Sequence, residues 1–598
     1  MAERVASTER LQTGAEQVFW KLEDIYPSAA AVKTSLAEAR QQAEAFRDRY
    51  RGRVGDLTAA ELAAALSCFE ELHDQLNRAA TYAYLDWCTH TEDPERGALF
   101  QYVREEYSRI SQELLFFELE LIQLAAAKSE TWKQAAELQR YRHYLEMLAR
   151  RREHVLSESE ERILAEKAIT GAGAWVRFFD ELLGGLKFSV NGEELTEQEV
   201  LARLYEPDRE VRRTAALAFT EGLRPQVRNL AYIFNTLLAE KASDDRLRKY
   251  PHWLAARNLA NEISDEAVAG LVAAVRSRYD LVARYYRLKR RLLGLDELYD
   301  YDRYAPVGLE EGRYSWTQAR DLVLQAYRRF HPEMGRIAAR FFEDRWIDAA
   351  VRPGKRAGAF SHSAVPQVHP YILVNFTGNV RDVQTLAHEL GHGVHQYLAR
   401  KQGSLQADTP LTTAETASVF GEMLVFQSLL EAERDERRKL GMLMAKIDDT
   451  IATVFRQIAM HCFEERIHRD RREAGELQAD RFGDHWIETQ EEMFADSLRL
   501  GEHYRLWWSY IPHFVHSPGY VYAYAFGELL VLSLYNRYRR QPEGFAEKYL
   551  RLLEAGGSDW PHELLRPFGV DLLDPDFWSE GLAEVERLIA QAEQLAGS

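Results

Sequence analysis

Apolar residues recur at intervals of three and four over most of this chain, and that periodicity predicts a mainly helical protein. Capping boxes mark where helices should begin, because a Ser or Thr followed three residues later by Glu or Gln satisfies two otherwise unpaired backbone groups. Thr58 with Glu61 opens a long helix that runs through the 80s. The periodicity continues over 94–126, 129–156 and 159–170, and further capping boxes lie at 196–199 and 315–318.

Two segments depart from the helical pattern. Residues 186–195 predict a β-hairpin, because the dipeptide Asn191-Gly192 favours the tight turn that joins two antiparallel strands. Residues 371–376 are apolar or aromatic apart from Asn375 and carry no charge, which predicts a buried strand. A strand in this position could pair with the backbone of a bound peptide, or it could serve only as scaffold.

The motif His388-Glu389-Leu390-Gly391-His392 carries the clearest chemistry in the sequence. On an α-helix, residues four apart lie on one face, so both imidazoles can bind one metal ion, and Glu389 beside them can take a proton from water. A chain with 18 His among 598 residues would contain roughly 0.05 copies of this pattern by chance. The motif therefore predicts metal-assisted hydrolysis of an amide bond.

The sequence around the motif is that of a buried helix. Asn379 is a suitable N-cap, with Asp382 three positions later. Burying histidines without partners is costly, so their place on such a helix favours metal binding over an incidental pair. An apolar stripe at spacings of three and four is formed by Val383, Leu386, Ala387, Leu390 and Val394.

A catalytic zinc usually has three protein ligands and keeps one position for water. The best local candidate for the third ligand is Glu415, in a segment where Pro410 and threonines suggest a helix start. Glu422 lies seven residues later on the same face, and small residues between them would let two helices pack closely. From spacing alone, an ordinary solvated Glu at 415 is the competing interpretation.

Five ordered motifs lie between about 350 and 530. They are GKRAGAFS at 354–361, PYILVNFTG at 370–378, HELGHGVHQ at 388–396, AETASVFGE at 414–422, and IPHF at 511–514 with YVYAYAFG at 520–527. Together they resemble the oligoendopeptidase F family, which is related to thimet oligopeptidase. The chain length and helical character fit that family throughout.

The resemblance implies roles for the residues of these motifs. His388, His392 and Glu415 would bind one Zn²⁺ per chain, and Glu389 would be the general base and proton shuttle. Glu422 would orient a zinc-bound imidazole through a hydrogen bond, as metal sites generally require. His395 would be structural or would support the ligands.

The carboxy-terminal motif holds His513, His516, Tyr520 and Tyr524, while Tyr522 is more typical of an aromatic core. Peptide hydrolysis places negative charge on the carbonyl oxygen, and a phenol or imidazole aimed at that oxygen stabilises it. The resemblance implies that a histidine and tyrosines of this region do so. We expect Tyr520 and His516 to be catalytic, and His513 and Tyr524 to support them or bind substrate.

The resemblance also implies the architecture. It predicts a zincin-type, mainly α fold with a small β-sheet beside the active site and a deep substrate channel between two mostly helical lobes. A boundary near 185–200 would separate an amino-terminal helical domain, 1–190, from a catalytic domain, 191–598. Such a channel would admit short unstructured peptides and exclude folded proteins.

Composition narrows the partners and the compartment. The net charge of −18 speaks against nucleic acid, and its field would weakly favour basic peptides. The start of the chain has no apolar signal core, and no run of 18 apolar residues argues for a membrane span. Three unpatterned cysteines, at 68, 88 and 462, fit a reducing compartment. We therefore expect a cytoplasmic protein without nucleic-acid or membrane partners.

The sequence thus predicts a zinc-dependent oligoendopeptidase that hydrolyses internal bonds of oligopeptides. A zinc carboxypeptidase that trims single residues is one alternative, because it can share this motif and a helical fold. A peptide-binding protein with a decayed metal site is another, although every acid and histidine of the motif is intact.

Overall fold

The computed structural model describes residues 12–308 and 312–597, and these residues are mostly α-helical, as the periodicity predicts. The first ten residues, considered above as a targeting segment, lie outside the described residues. The amino-terminal helices are α1 (Ala29–Tyr50), α2 (Ala59–Cys88), α3 (Pro94–Gln134), α4 (Arg142–Arg151), α5 (Glu158–Ala168) and α6 (Ala172–Gly184). The central helices are α7 (Glu197–Ala202), α8 (Arg209–Leu223), α9 (Val227–Leu247), α10 (Ala255–Ala260), α11 (Asp265–Arg276), α12 (Tyr279–Leu292), α13 (Trp316–Phe330) and α14 (Pro332–Glu343).

The carboxy-terminal part contains the elements that carry the predicted chemistry. Its helices are α15 (Val380–Ala399), α16 (Leu411–Ala414), α17 (Thr416–Ala432), α18 (Glu436–Thr450), α19 (Arg456–Ala474), α20 (Ala479–Phe494), α21 (His513–His516), α22 (Tyr522–Arg540), α23 (Phe545–Ala555), α24 (Pro561–Leu565) and α25 (Pro575–Gly597). The strands of the whole described chain are β1 (Phe188–Val190), β2 (Glu193–Leu195), β3 (Ile347–Asp348), β4 (Phe360–His362) and β5 (Tyr371–Leu373).

The structure confirms the local predictions made from the sequence. All three capping boxes are formed, and they open α2, α7 and α13. The hairpin of β1 and β2 turns at Asn191 and Gly192, which both have positive φ, as the tight turn requires. One helix is longer than its pattern suggested: α3 continues to Gln134, and Lys128 in its extension donates to the carbonyl of Gly55.

Three clusters of buried apolar side chains form the core. The first is built mainly from α1 to α4, and the second joins α6, the β1–β2 hairpin, α8 and α9 to α19 and α20. The third and largest packs α11 to α15 against α17, α18, α22, α23 and α25. Residues on both sides of position 190 pack in the second cluster, and a domain boundary at 190 stays a prediction. None of the described helices is long and apolar enough to cross a membrane.

A three-stranded sheet lies between the first and third clusters, with β5 at its centre, β3 parallel on one side and β4 antiparallel on the other. Tyr371 and Leu373 face the first cluster, whereas Ile372 and Val374 face the third. Both faces of β5 are therefore buried, which explains its uninterrupted apolar sequence. Because β5 is paired on both edges, the predicted strand is scaffold, and the outer strands of the sheet are β3 and β4.

A single π-helical turn at Ile451–Phe455 joins α18 to α19. A π-turn inserts one extra residue into a helix and is frequent at functional sites. Ala452 and Thr453 of this turn line a cavity beside the predicted metal ligands. The irregularity thus lies where the helix borders the site.

Candidate metal centre

Helix α15 positions the two histidines of the motif. Its N-cap is Asn379, whose side chain accepts from the backbone N–H of Asp382, while the Asp382 carboxylate reaches back to the cap. The predicted apolar stripe is buried against the third cluster. His388 and His392 therefore lie one above the other, with ring centroids 4.9 Å apart.

Helix α17 brings Glu415 to these histidines by packing closely on α15. The contact is possible because residue 391 is glycine: a Cβ there would lie 2.6 Å from the Cα of Ser418. The buried side chains of Ala417 and Ser418 are small, so the helices meet without a bulky residue between them. The close packing that the small residues suggested is confirmed.

The resulting cluster of His388, His392 and Glu415 is suited to a metal ion. Oε2 of Glu415 lies 3.3 Å from Nε2 of His388 and 3.4 Å from Nε2 of His392, and the three ligand atoms all lie within 4.8 Å of one another. Two atoms that bind one tetrahedral zinc at about 2.0–2.1 Å would be about 3.3 Å apart. The spacing and the donor set of two imidazoles and a carboxylate therefore fit zinc.

A second layer of charged groups surrounds His388. Its Nδ1 lies 3.4 Å from Oε2 of Glu422, whose Oε1 lies 2.9 Å from Nζ of the buried Lys446. Lys446 is also 3.7 Å from Glu528. Burial acts to raise the pKa of Glu422, but Lys446 and His388 outweigh it and lower that pKa to about 2. Glu422 is thus held ionised, and its carboxylate can accept a hydrogen bond from the Nδ1–H of the imidazole.

The same fields act on His388 itself. Burial acts to lower the pKa of its imidazole, but the carboxylates of Glu415 and Glu422 outweigh burial and raise it to about 10. Ser418 Oγ donates to the Oε2 of Glu415 at 2.6 Å and fixes that carboxylate. The centre therefore has an electrostatic preference for a positive charge at the position between the ligands.

Glu389 is buried beside the cluster. Burial raises the pKa of its carboxyl, and the charges of His388 and His392 partly oppose that rise. The backbone N–H of Ser361, in β4, donates to the Glu389 carboxylate. A carboxyl with a raised pKa is well suited to take up a proton and release it again near neutral pH.

The outer edge of β4 faces the metal helix. Because the N–H of Ile372 donates to the carbonyl of Trp346 on the β3 side, β5 pairs with β4 through its flanking residues. The backbone groups of Ser361 consequently point away from β5. Its side chain donates to Gln396 at 2.7 Å, and Gln396 lies one turn beyond His392 on α15.

Cavities lie on both sides of Glu389. The first, which we call the edge-strand cavity, has a volume of about 520 Å³ and is lined by Ser361, His392, His395 and Gln396 among others. The second, the metal cavity, has a volume of about 410 Å³ and is lined by His388, Glu415, Glu422 and Tyr524 among others. Glu389 lines both cavities, so an extended ligand could pass it from one to the other.

His395 lies on the inner side of α15. Its ring is buried, and burial lowers the pKa of the imidazole to about 3, so it stays neutral. It lines the edge-strand cavity beside His392. This position suits the supporting role expected for it rather than metal binding.

The carboxy-terminal motif divides into two groups. Nε2 of His513 lies 3.2 Å from the hydroxyl of Tyr524, and the rings of Tyr520 and Tyr524 are 5.0 Å apart. Tyr524 lines the metal cavity. His516, in contrast, has its Nε2 2.8 Å from Oδ1 of Asp180 in α6, and its side chain is 40% exposed. The structure brings Tyr520, Tyr524 and His513 together and places His516 apart from them.

The interpretation of Tyr522 as core is confirmed. Its side chain is fully buried, and its hydroxyl accepts from Asn261 and donates to Asn258, both at 2.8 Å. Tyr520 and Tyr524, four residues apart, lie on one side of the start of α22, whereas Tyr522, between them, is buried on the other side.

Sequence reasoning missed several residues of the site. Lys446 and Glu528 were not identified, although each is a charged residue within an otherwise apolar helical stretch, and that contrast is a usable signal. Ser361 and Gln396 lie within two of the motifs, but the sequence predicts no separate role for either. Their roles depend on contact between segments distant in sequence, which no local pattern records.

Two family profiles match parts of the chain. The profile of peptidase family M3 matches residues 202–584, and that of oligopeptidase F matches residues 120–188. The chain is 29% identical to oligopeptidase PepF of Bacillus subtilis, over 98% of this chain and 89% of the relative. It is 26% identical to the group B oligopeptidase PepB of Streptococcus agalactiae, over 96% of this chain and 98% of the relative.

Solved structures have the same fold. A crystal structure of a candidate peptidase from Chlamydophila abortus superposes with a TM-score of 0.85 at 25% identity, covering 97% of this chain and 98% of the other. Oligoendopeptidase F from Enterococcus faecium gives a TM-score of 0.71 at 24% identity, covering 94% and 97%. The resemblance that the five motifs indicated is confirmed.

Proposed function

The chain belongs to peptidase family M3 and is a metallo-oligopeptidase; from this premise we propose that it is a zinc-dependent endopeptidase of short, unstructured peptides. The observation that carries the proposal is the triangle formed by His388, His392 and Glu415 with Glu389 beside it. Two imidazoles and one carboxylate are a usual set for catalytic zinc, since they leave a position for solvent.

The residues of the chain supply the proton transfers. Zinc bound by the three ligands would act as a Lewis acid, lowering the pKa of a water and polarising the scissile carbonyl. Glu389 takes the proton of the attacking water and then hands it to the leaving amine. The rise in its pKa caused by burial favours both halves of this exchange.

Phenol donors complete the site. As the carbonyl oxygen becomes negative, Tyr524 in the metal cavity and Tyr520 beside it can donate hydrogen bonds to it. His513, within hydrogen-bond distance of the Tyr524 hydroxyl, orients that hydroxyl. We favour these three residues over His516, because the ring of His516 is engaged by Asp180.

The shape of the site supports peptides as extended ligands. Residues 359–361, at and just before the outer strand β4, line the edge-strand cavity, where a peptide backbone could lie alongside the strand without regard to its side chains. The edge-strand and metal cavities meet at Glu389, so a peptide would bind on both sides of the bond to be cut. Such two-sided binding supports internal cleavage over removal of single terminal residues.

The test is Glu389→Gln, compared with Glu431→Gln, which changes an exposed residue of α17 in the same way. The first variant should retain about one zinc per chain and lose turnover of peptides by about 10²–10⁴-fold. The second should match the wild type in both. Unchanged turnover in Glu389→Gln would refute the role of Glu389.

Mass spectrometry of the products separates the alternatives. Peptides with amidated carboxyl termini should be cut at internal bonds, and each cut should give one amino-terminal and one carboxy-terminal fragment. A ladder of products shortened by single residues from the carboxyl terminus would support a carboxypeptidase. No cleavage of any peptide by the zinc-loaded protein would support a decayed peptide-binding protein.

A further inference from the structure

A third cavity, which we call the distal cavity, has a volume of about 740 Å³ and adjoins the metal cavity. Arg381, Gln384, Asp449 and Ala452 line both cavities. On α15, Gln384 and Arg381 precede His388 by four and seven residues, which correspond to about 6 and 10 Å along the helix axis. An extended peptide rises about 3.3 Å per residue, so the distal cavity lies about two to three residues from the bond that is cut.

The distal cavity has a wall made of two arginines and a tyrosine. The hydroxyl oxygen of Tyr304 accepts from Nη2 of Arg303 at 3.1 Å and from Nη1 of Arg456 at 3.0 Å. Its own O–H proton is therefore available to an acceptor in the cavity. Of the nitrogens of Arg456, Nη1 alone has a hydrogen-bond partner among the described residues, and its Nε is buried without one.

The two guanidinium groups have no carboxylate in contact among the described residues, although Asp300 and Asp448 act on Arg303 at longer range. In the described part of the chain, neither Arg303 nor Arg456 forms an ion pair with a carboxylate. Acids of the same region have other partners: Asp448 lies 2.7 Å from Lys289, and Asp300 lies 2.7 Å from a histidine. A buried cation without an anion is costly, so this wall favours the binding of a negatively charged group.

The positive charges of the two arginines also act on the phenol of Tyr304, which lies between them. Burial acts to raise the pKa of Tyr304, but the guanidinium groups of Arg303 and Arg456 outweigh burial and hold the pKa below its ordinary value. A more acidic phenol is a stronger hydrogen-bond donor to an anion. Arg303 is held in place by the hydroxyl of Tyr504 at 2.9 Å, which leaves Arg456 and Tyr304 as the groups that face a ligand.

We propose that the distal cavity is a subsite for a carboxylate of the bound peptide, held by Arg456 and the O–H of Tyr304. The inference rests on the proposed peptidase function, because it places the peptide in the cavities beside Glu389. The carboxylate belongs to an acidic side chain or to the carboxyl terminus, about two to three residues from the cut bond. The subsite would thus select one acidic position in a protein whose net charge of −18 otherwise favours basic peptides.

Binding to zinc-loaded Glu389→Gln tests the subsite without turnover. Fluorescence anisotropy measures Kd for one peptide in which Glu and Gln are exchanged position by position, with its carboxyl terminus free or amidated. We expect one carboxylate to bind about 10- to 100-fold more tightly than its neutral counterpart. If that carboxylate is a Glu, the ligand is a side chain; if it is the free terminus, the ligand is the terminus.

The same ratio is then measured after adding Arg456→Met to Glu389→Gln. We expect the ratio to fall to within about twofold of one, since the paired donor is gone. Arg456→Lys, which keeps the charge but not the planar fork, should lower the ratio by several-fold and decides the question if the Met variant does not fold. Arg466→Met is the matched control on α19, because that arginine already pairs with Glu488 at 2.7 Å; its ratio should stay unchanged.

Two outcomes would overturn the subsite: equal binding of all charged and neutral peptides, or a preference for one carboxylate that survives Arg456→Met and Arg456→Lys. The preference should also persist at high salt, where long-range repulsion is screened, because the contact is local. Failure of the proposed function would look different: the wild type would not cleave the peptides, whatever the binding ratios were.

Discussion

Substitution of Lys446 should show how much the charged groups behind the metal ligands contribute to stability and to zinc affinity. It is 3% exposed and lies 2.9 Å from Glu422 and 3.7 Å from Glu528, while Glu422 faces Nδ1 of His388. Burial acts to lower the pKa of Lys446, but the two glutamates outweigh burial and raise it, so the residue is charged. Lys446→Met keeps most of the volume and removes that charge.

The cost can be worked from these contacts. Removing one partner of a buried ion pair leaves the other charge uncompensated and costs about 3–5 kcal/mol. Glu422 is partly exposed, at 19%, so we expect the free energy of unfolding to fall by about 3 kcal/mol, the lower end of that range. Without Lys446 the pKa of Glu422 rises, its hold on His388 weakens, and zinc affinity should fall by about 10- to 100-fold.

Urea unfolding of the zinc-free protein and competition for zinc with a chelator measure the two effects. Lys401→Met is the control, because Lys401 is 65% exposed in its pair with Glu554 and should contribute less than about 1 kcal/mol. The double variant Lys446→Met/Glu422→Gln should be more stable than Lys446→Met alone, since one of the two carboxylates that lose Lys446, at 422 and 528, is then neutral. A loss below about 1 kcal/mol in Lys446→Met, with unchanged zinc affinity, would refute this reasoning.

Three further changes test other parts of the structure. Gly391→Ala should force α17 away from α15 and weaken zinc binding at least about tenfold while circular dichroism shows the helices retained; unchanged zinc affinity would contradict the close helix contact. Burial raises the pKa of Glu464 from 4.5 to about 8. Between these two pH values the folded protein binds a proton that the unfolded chain releases, so the free energy of unfolding falls as pH rises, by at most about 1.4 kcal/mol per pH unit. Glu464→Gln should remove that slope in unfolding experiments at pH 5 to 8, and an unaltered slope counts against it. Tyr524→Phe should lower kcat by about 100-fold or more, whereas His516→Asn should change it less than about twofold. The reverse order would indicate that His516, and not Tyr524, donates to the reacting carbonyl oxygen.

Much of the metal helix could be predicted from the sequence because its determinants are local. The cap at Asn379, the apolar stripe and the spacing of His388 and His392 all act within one helix. Glu415 could be proposed because small residues follow it, but its approach to the histidines depends on the absence of a side chain at Gly391, on a different helix. The roles of the ligands stay predictions until the metal is measured.

The rest of the site depends on contacts between distant segments. The sequence of β5 shows that it is buried, yet only the order of the sheet shows that β4 is an outer strand. Likewise, His516 and Tyr520 are neighbours in one motif, but Asp180, more than 300 residues earlier, engages one of them. Patterns of periodicity carry no information about such partners, so the choice between the two residues needed the fold.

The π-turn at Ile451–Phe455 joins α18 and α19 into one continuous helix. Because the π-turn absorbs one extra residue, deleting one residue within it should restore a regular helix and leave Lys446 and Arg456 close to their present orientations. A deletion within Arg456–Ala474 has no such allowance, and it would rotate the buried side chains that follow by about 100° away from the core. The tolerance of this helix to a change in length should therefore be concentrated in one turn beside the metal cavity.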